Sequence, residues 1–239
     1  MNARVKSSPE IKIGLIGASG KMGREVLAAA SRIGFEVLPY FRSEPDFEVP
    51  FKIEYQIENV FVNSCVIINF SPEIYYSLAE KRLKPMLLCS TGHPGLIHQR
   101  PEEGQRVDWR QTHPFAFMYA PNVSVEWCVL KDALEKLSSY GNFEICIDDI
   151  HHSFKKDAPS GTVKNLNLKD APKVRSIRCP DVSSWHIASL FDRDQVVRIE
   201  HQVLKRSVYA ESALKVAAWL AGKAPGEYGM ADFLREIHN

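Results

Sequence analysis

Three glycines within Gly17-Ala18-Ser19-Gly20-Lys21-Met22-Gly23 constrain this chain more than any other feature of its sequence. They follow a compact apolar run, Ile11 to Ile16, which reads as a buried parallel strand. They open a stretch, Lys21 to Ile33, in which Met22, Val26, Leu27, Ala30 and Ile33 recur at helical spacing. A tight turn between strand and helix needs residues without a Cβ, and a helix N-terminus offers N–H donors and a positive dipole end to an anion. With a second strand over Phe35 to Phe41, the opening is a βαβ unit. It predicts a dinucleotide pyrophosphate site at Gly17, Ser19, Gly20, Lys21, Met22 and Gly23. A purely structural turn is the other reading of the same residues.

The alternation continues. Cys65 to Phe70 reads as a buried strand, Glu73 to Lys84 as a helix, and Met86 to Cys89 as a strand before a turn at Ser90-Thr91-Gly92. Phe115 to Ala120 is a further strand. Strands alternating with helices predict a parallel sheet covered on both faces. After Pro121-Asn122 the rhythm changes: a helix over Val123 to Tyr140, a strand over Phe143 to Ile150, and a polar loop from His151 to Thr162. Strands follow at Ser176 to Cys179, Trp185 to Leu190 and Gln195 to Leu204, and a helix at Ala210 to Ala221 returns to the first domain. The expected fold is α/β: a Rossmann-like parallel-sheet domain from residues 1–122 and 207–239, with a smaller α+β domain from 123–206.

Composition narrows the functions. Thirty Lys and Arg against 29 Asp and Glu give a net charge of +1, without the basic excess of a nucleic-acid binder. The five cysteines, Cys65, Cys89, Cys128, Cys146 and Cys179, are odd in number and form no C-x-x-C, which argues against a disulfide framework or zinc site. The N-terminal residues show no apolar signal region, and no apolar run reaches the roughly 18 residues that span a bilayer. The expectation is a cytoplasmic protein with neither membrane nor nucleic acid as partner.

Two segments carry chemistry. The second strand ends Tyr40-Phe41-Arg42-Ser43, with no carboxylate until Glu44. An acidic residue there would grip the ribose hydroxyls of NAD, whereas a guanidinium suits a 2′-phosphate. Arg42, with Lys21 as a second cation, therefore predicts a preference for NADPH over NADH; a solvated loop arginine is the alternative. The second segment is His151-His152-Ser153-Phe154-Lys155-Lys156-Asp157-Ala158-Pro159-Ser160-Gly161-Thr162. A histidine can donate a proton near neutral pH, a lysine can bind an anion, and Ser160, Gly161 and Thr162 at a helix start can offer donors to a carboxylate. No metal is expected, because no further ligands stand at suitable spacing. His93, His98, His113, His186, His201 and His238 are scattered and read as ordinary surface or loop residues.

At these segments the sequence resembles dihydrodipicolinate reductase. That family shows G-x-x-G-x-M-G near its N-terminus and H-H-x-x-K-x-D-A-P-S-G-T later, here GASGKMG and HHSFKKDAPSGT. Weaker matches are INFSPE (68–73), STG (90–92), APNVSV (120–125) and HQVLKRSVYAESALKVAAWL (201–220). The resemblance implies hydride transfer from NAD(P)H to 4-hydroxy-tetrahydrodipicolinate or its dehydrated form. It also implies a second domain that binds this dicarboxylate substrate and builds a homotetramer. By position it makes His151 the proton donor, with Lys155 its partner, and gives His152, Lys155, Ser160, Gly161 and Thr162 a substrate carboxylate. Ser90, Thr91, Gly92, Ala120 and Asn122 are placed at the cofactor, and Arg206 reaches it from across the cleft.

The chain departs from the pattern in places. Cys89 stands for the first glycine of G-T-T-G, and Asn69-Phe70-Ser71 for D-F-T, in a segment one residue short of an arginine-containing version. The stretch between Thr162 and Arg178 is short, and around Cys179 to His186 the glycine-rich G-x-x-x-G-x-H is not kept, with His186 the candidate for its histidine. Two other readings stay open: a different imine or semialdehyde reductase on this fold, and a non-catalytic nucleotide-binding regulator.

Overall fold

The computed structural model describes residues 11–73, 75–90 and 113–237. Its contacts divide the chain into two compact units, Met1–Val123 with Tyr209–Asn239, and Ser124–Val208. The first unit opens β1 (Lys12–Ile16), α1 (Lys21–Ile33), β2 (Glu36–Pro39), α2 (Ile57–Asn63), β3 (Val66–Asn69), α3 (Tyr76–Arg82), β4 (Met86–Leu88) and β5 (Ala116–Tyr119). The second holds α4 (Val125–Tyr140), β6 (Glu144–His152), α5 (Gly161–Lys164), β7 (Lys173–Cys179), β8 (Ser184–Phe191) and β9 (Val196–Val203). The chain ends with α6 (Ser207–Leu220), β10 (Gly226–Tyr228) and α7 (Met230–Ile237).

The first sheet runs β2-β1-β3-β4-β5-β10, and every pairing in it is parallel. Strands covered on both faces are apolar without alternation; all four residues of β3 are fully buried. Val60 and Phe61 of α2 pack in the same core as Ile67, Met86, Leu88, Phe115 and Phe117. Strand order reverses between β1 and β3, and in open parallel sheets ligands bind outside the carboxyl ends of the strands at such a reversal. Those ends are Ile16-Gly17 and Asn69-Phe70. Gly17 sits at φ +84°, and a Cβ there would lie 3.0 Å from the backbone of Phe70 and Ser71. A Cβ on Gly23 would lie 2.2 Å from the Gly17 carbonyl oxygen. The helix thus seats directly on its own glycine turn.

The second sheet, β7-β6-β8-β9, pairs β6 with β7 in parallel and the rest antiparallel. Side chains alternate between faces along a strand. One face presents Ile145, Ile147, Asp149 and His151 from β6, beside Leu190, Ala188, His186 and Ser184 from β8. Its apolar end packs with Leu134 of α4 and Val163 of α5. His151 and His152 are the last residues of β6, pairing with Arg178 and Cys179 of β7, so they do not lie in the expected loop. β7 pairs with both and β8 with His151, which their polarity alone did not reveal. Alternation sends His151 to the α4 face and His152 to the other.

Among the described residues no helix is long and apolar enough to cross a membrane. Gly23→Ala forces a methyl group into backbone and is expected to cost about 1–3 kcal/mol, as overpacking does. The denaturant midpoint checks this: an unchanged midpoint would show that α1 shifts freely on the turn.

Candidate active site

The first unit holds a groove of about 500 Å³ at the strand-order reversal, lined by Gly17, Ser19, Gly20, Arg42, Ser71, Glu73 and Tyr75 among others. Gly20 begins α1 as its N-cap; no side chain caps the helix, and its first turn carries no acid. The first N–H groups of this 13-residue helix therefore have no side-chain cap or acid to meet them, beside a groove that its N-cap lines, which suits a pyrophosphate. Lys21 is exposed at the helix start, Met22 half-buried and Gly23 buried. The cradle fits a dinucleotide in this respect, and Gly17 and Gly23 have no room for side chains.

Arg42 stands at the groove, but not alone. Its guanidinium donates to the Glu73 carboxylate, which also accepts from the Tyr75 hydroxyl. These contacts, Tyr75 first, raise the Arg42 pKa further and hold the Glu73 carboxyl below its ordinary value. Ser90 and Ala120 are buried just beyond the ends of β4 and β5, and Asn122 is half-buried. Thr91 and Gly92 lie outside the described residues. Arg206 belongs to the second unit, in the turn before α6.

In the second unit the sheet face becomes polar where it leaves α4. Asp149 is fully buried, and its Oδ1 lies 3.1 Å from His151 Nδ1 and 3.3 Å from His186 Nε2. Its Oδ2 accepts the Ser160 N–H at 2.8 Å. Burial pushes this carboxyl up, but His151, His186 and Ser160 outweigh it and hold it well below the usual range. Arg178 of β7 donates to the carbonyl oxygens of Asp149 and Asp157, at 3.0 and 2.6 Å, tying the loop to the strand. The far nitrogen of His151, Nε2, lies 3.3 Å from the Ser184 hydroxyl. The carboxylate thus lies against the Nδ1 edge of the His151 ring, with Nε2 on the far side.

Lys155 Nζ lies 2.9 Å from Asp157 Oδ1, and the Gly161 N–H donates to Asp157 Oδ2 at 3.1 Å. The Ser160 hydroxyl accepts the Val163 N–H, capping α5. Lys155, Ser160 and Gly161 are thus brought together, but their donors are met by the protein's own carboxylates. Thr162 is half-buried in α5, and His152 stacks loosely on Phe154, 6.5 Å between rings.

The structure corrects the reading of two histidines as surface residues: His186 and His113 are only 3% and 7% exposed. His186 joins the Asp149 cluster, and His113 contacts the Tyr76 hydroxyl at 2.7 Å. Asp149 was legible in principle, since a residue two before His151 on a strand shares its face. His186 was marked only as the candidate for the family's histidine; that it meets Asp149 follows from strand pairing. Asp149, His151 and His186 together place three possible metal-ligand atoms within 4.8 Å. The Arg178 guanidinium, 3.5 Å from the same carboxylate, already supplies positive charge there. Cys89 is buried and its thiol is pushed up by burial, which disfavours the thiolate that an aldehyde-oxidising enzyme needs.

The family described as "Dihydrodipicolinate reductase, N-terminus" matches residues 11–123, and its counterpart "Dihydrodipicolinate reductase, C-terminus" matches residues 123–234. The chain belongs to this family. Family members named 4-hydroxy-tetrahydrodipicolinate reductase include one from Rickettsia canadensis, 30% identical, covering 94% of this chain and 99% of that protein. Another, from Campylobacter jejuni subsp. doylei, is 28% identical over 95% of this chain and 98% of its own. Among solved structures, dipicolinate-bound dihydrodipicolinate reductase from Paenisporosarcina sp. TG-14 superposes with TM-score 0.68 at 15% identity, over 92% of this chain and 97% of that one. That likeness establishes the family's fold here: a parallel Rossmann-like sheet with a second, mixed-sheet unit.

Burial lowers the pKa of His186, with Asp149 opposing, and burial also lowers that of His201. Below about pH 6.5 the unfolded chain takes up protons on these side chains before the folded one, so stability falls with falling pH; Asp149 adds its own loss only below about pH 4. The thermal midpoint is expected to drop between pH 7 and 5, and less steeply in His186→Asn. Parallel slopes for the two proteins would remove His186 as a source.

Proposed function

We propose that this chain is a 4-hydroxy-tetrahydrodipicolinate reductase, which passes a hydride from a nicotinamide dinucleotide to its substrate ring, giving tetrahydrodipicolinate for diaminopimelate and lysine biosynthesis. The relatives of that name align along nearly its whole length. The geometric observation that carries the reading is the Asp157 carboxylate held between Lys155 Nζ and the Gly161 N–H. Two donors that suit a carboxylate sit on the loop leaving the His151 strand, where a dicarboxylate substrate can exchange for Asp157.

The dinucleotide, when bound, supplies the hydride. Gly17, Ser19, Gly20 and the first turn of α1, with Lys21, Met22 and Gly23, hold its pyrophosphate. Ser90, Thr91, Gly92, Ala120 and Asn122 shape its nicotinamide end. His151 gives a proton from Nε2 to the ring carbon that becomes electron-rich as hydride arrives, while Asp149 holds the imidazole in orientation. Lys155 stabilises negative charge beside it and binds the substrate carboxylate with Gly161, Thr162 and His152. Ser160 fixes the loop through its bonds to Asp149 and Val163. Arg42 favours NADPH, with NADH as a second cofactor. The enzyme is cytoplasmic and a homotetramer; Phe191 and Val196, 39% and 53% exposed at one end of the second sheet, support a partner there.

The test is a coupled assay in which dihydrodipicolinate synthase makes the unstable substrate from pyruvate and aspartate semialdehyde while NADPH or NADH loss is followed. Oxidation should require both precursors; its absence in protein that binds NADPH would overturn the reading. In the same assay His151→Gln should lower kcat by roughly 10²–10⁴, the scale of a general acid, with cofactor binding retained. Near-normal kcat would take the proton from another group.

A further inference from the structure

The β3–α3 loop brings to the groove of the first unit a carboxylate that the end of β2 does not supply. Glu73 comes from the β3–α3 loop and faces Arg42 across the groove. Its backbone is fixed: the fully buried Asn69 donates through Nδ2 to the Glu73 carbonyl oxygen at 2.6 Å, and the Ser71 hydroxyl donates to the same oxygen at 2.9 Å. Asn69 Oδ1 in turn accepts the Ser71 N–H at 2.8 Å. The loop therefore has little freedom to carry the carboxylate away, although the side chain itself is 52% exposed and can swing. The groove's two other acids are committed elsewhere, Glu44 to the Tyr55 hydroxyl and Asp46 to Arg24. Glu73 is the acid that meets Arg42.

We infer that Glu73 is a cofactor-specificity residue: it reads the adenosine ribose against Arg42 and holds the enzyme open to both NADH and NADPH. This rests on the reading that Arg42 meets the adenosine ribose. An unphosphorylated ribose presents two hydroxyl donors, which a carboxylate accepts. A 2′-phosphate, with close to two negative charges, takes the guanidinium but is repelled by a carboxylate beside it. For NADPH, Arg42 must exchange Glu73 for phosphate and Glu73 must turn away. For NADH, the pair can stay together while Glu73 accepts from the ribose. Because both side chains are well exposed, the exchange is cheap and tilts the preference without fixing it. Tyr75, which donates to the same carboxylate, helps hold it toward the groove in the meantime.

Dissociation constants of NADPH and NADH, measured by nucleotide fluorescence on the wild-type protein, Arg42→Leu and Glu73→Gln, test this. Glu73→Gln should tighten NADPH and weaken NADH, moving their ratio by about fivefold, the scale of an exposed ion pair. Arg42→Leu should move the ratio the opposite way. If Arg42→Leu shifts the ratio but Glu73→Gln does not, or weakens both nucleotides equally, the inference fails and Glu73 only shapes the loop. If Glu73→Gln shifts the ratio and Arg42→Leu does not, Glu73 stands as the reader and the Arg42 reading falls instead.

Discussion

A carboxylate removed from water must have its charge met on every side, or the fold that buries it does not persist. Asp149 imposes that condition on the second unit. It is fully buried on β6, and its partners come from β6 itself, β7, β8 and the loop before α5. The register of the sheet, the path of the loop and the direction of the His151 ring are parts of one solution to that charge. The apolar half of the same sheet face supplies bulk stability through Ile145, Ile147, Ala188 and Leu190. The polar half supplies a fixed geometry.

The same logic explains why the candidate substrate loop is its own ligand. Lys155 is one-fifth exposed and the Gly161 N–H lies at a helix start, so both need an acceptor. Asp157, two residues from Lys155, meets both. Any incoming acid must compete with Asp157 for these two donors. The first unit does likewise with Arg42 and Glu73, and such internal pairing is why a net charge of +1 said so little about the sites.

Much of this was legible in the sequence where signals were local. The glycine turn, β1, β3, β4, β5 and α4 follow from apolar runs, glycine spacing and helical periodicity. Short elements escaped: α2 has seven residues, and Gly226-Glu227-Tyr228 has no strand pattern of its own, becoming one because β5 offers an edge. Polarity made His151 and His152 look like loop, yet β7 holds both in a strand and β8 also pairs with His151. The partners that matter most at the two sites, His186 for Asp149 and Glu73 for Arg42, are set by pairings across 37 and 31 positions of sequence, and no local pattern reports those.

The placement of β10 bears on how the chain is made. Its three residues pair with β5, more than a hundred positions earlier, and the whole of Ser124–Val208 is synthesised in between. As the polypeptide leaves the ribosome, the second unit has all its strands while the first still lacks one edge of its sheet, together with α6 and α7. The first unit, although it begins the chain, therefore cannot be completed until after the second has been synthesised. For that interval the exposed rim of β5, buried and apolar through Ala116, Phe117 and Met118 in the finished protein, is an unpaired strand edge of the kind that chaperones shield and that aggregation exploits.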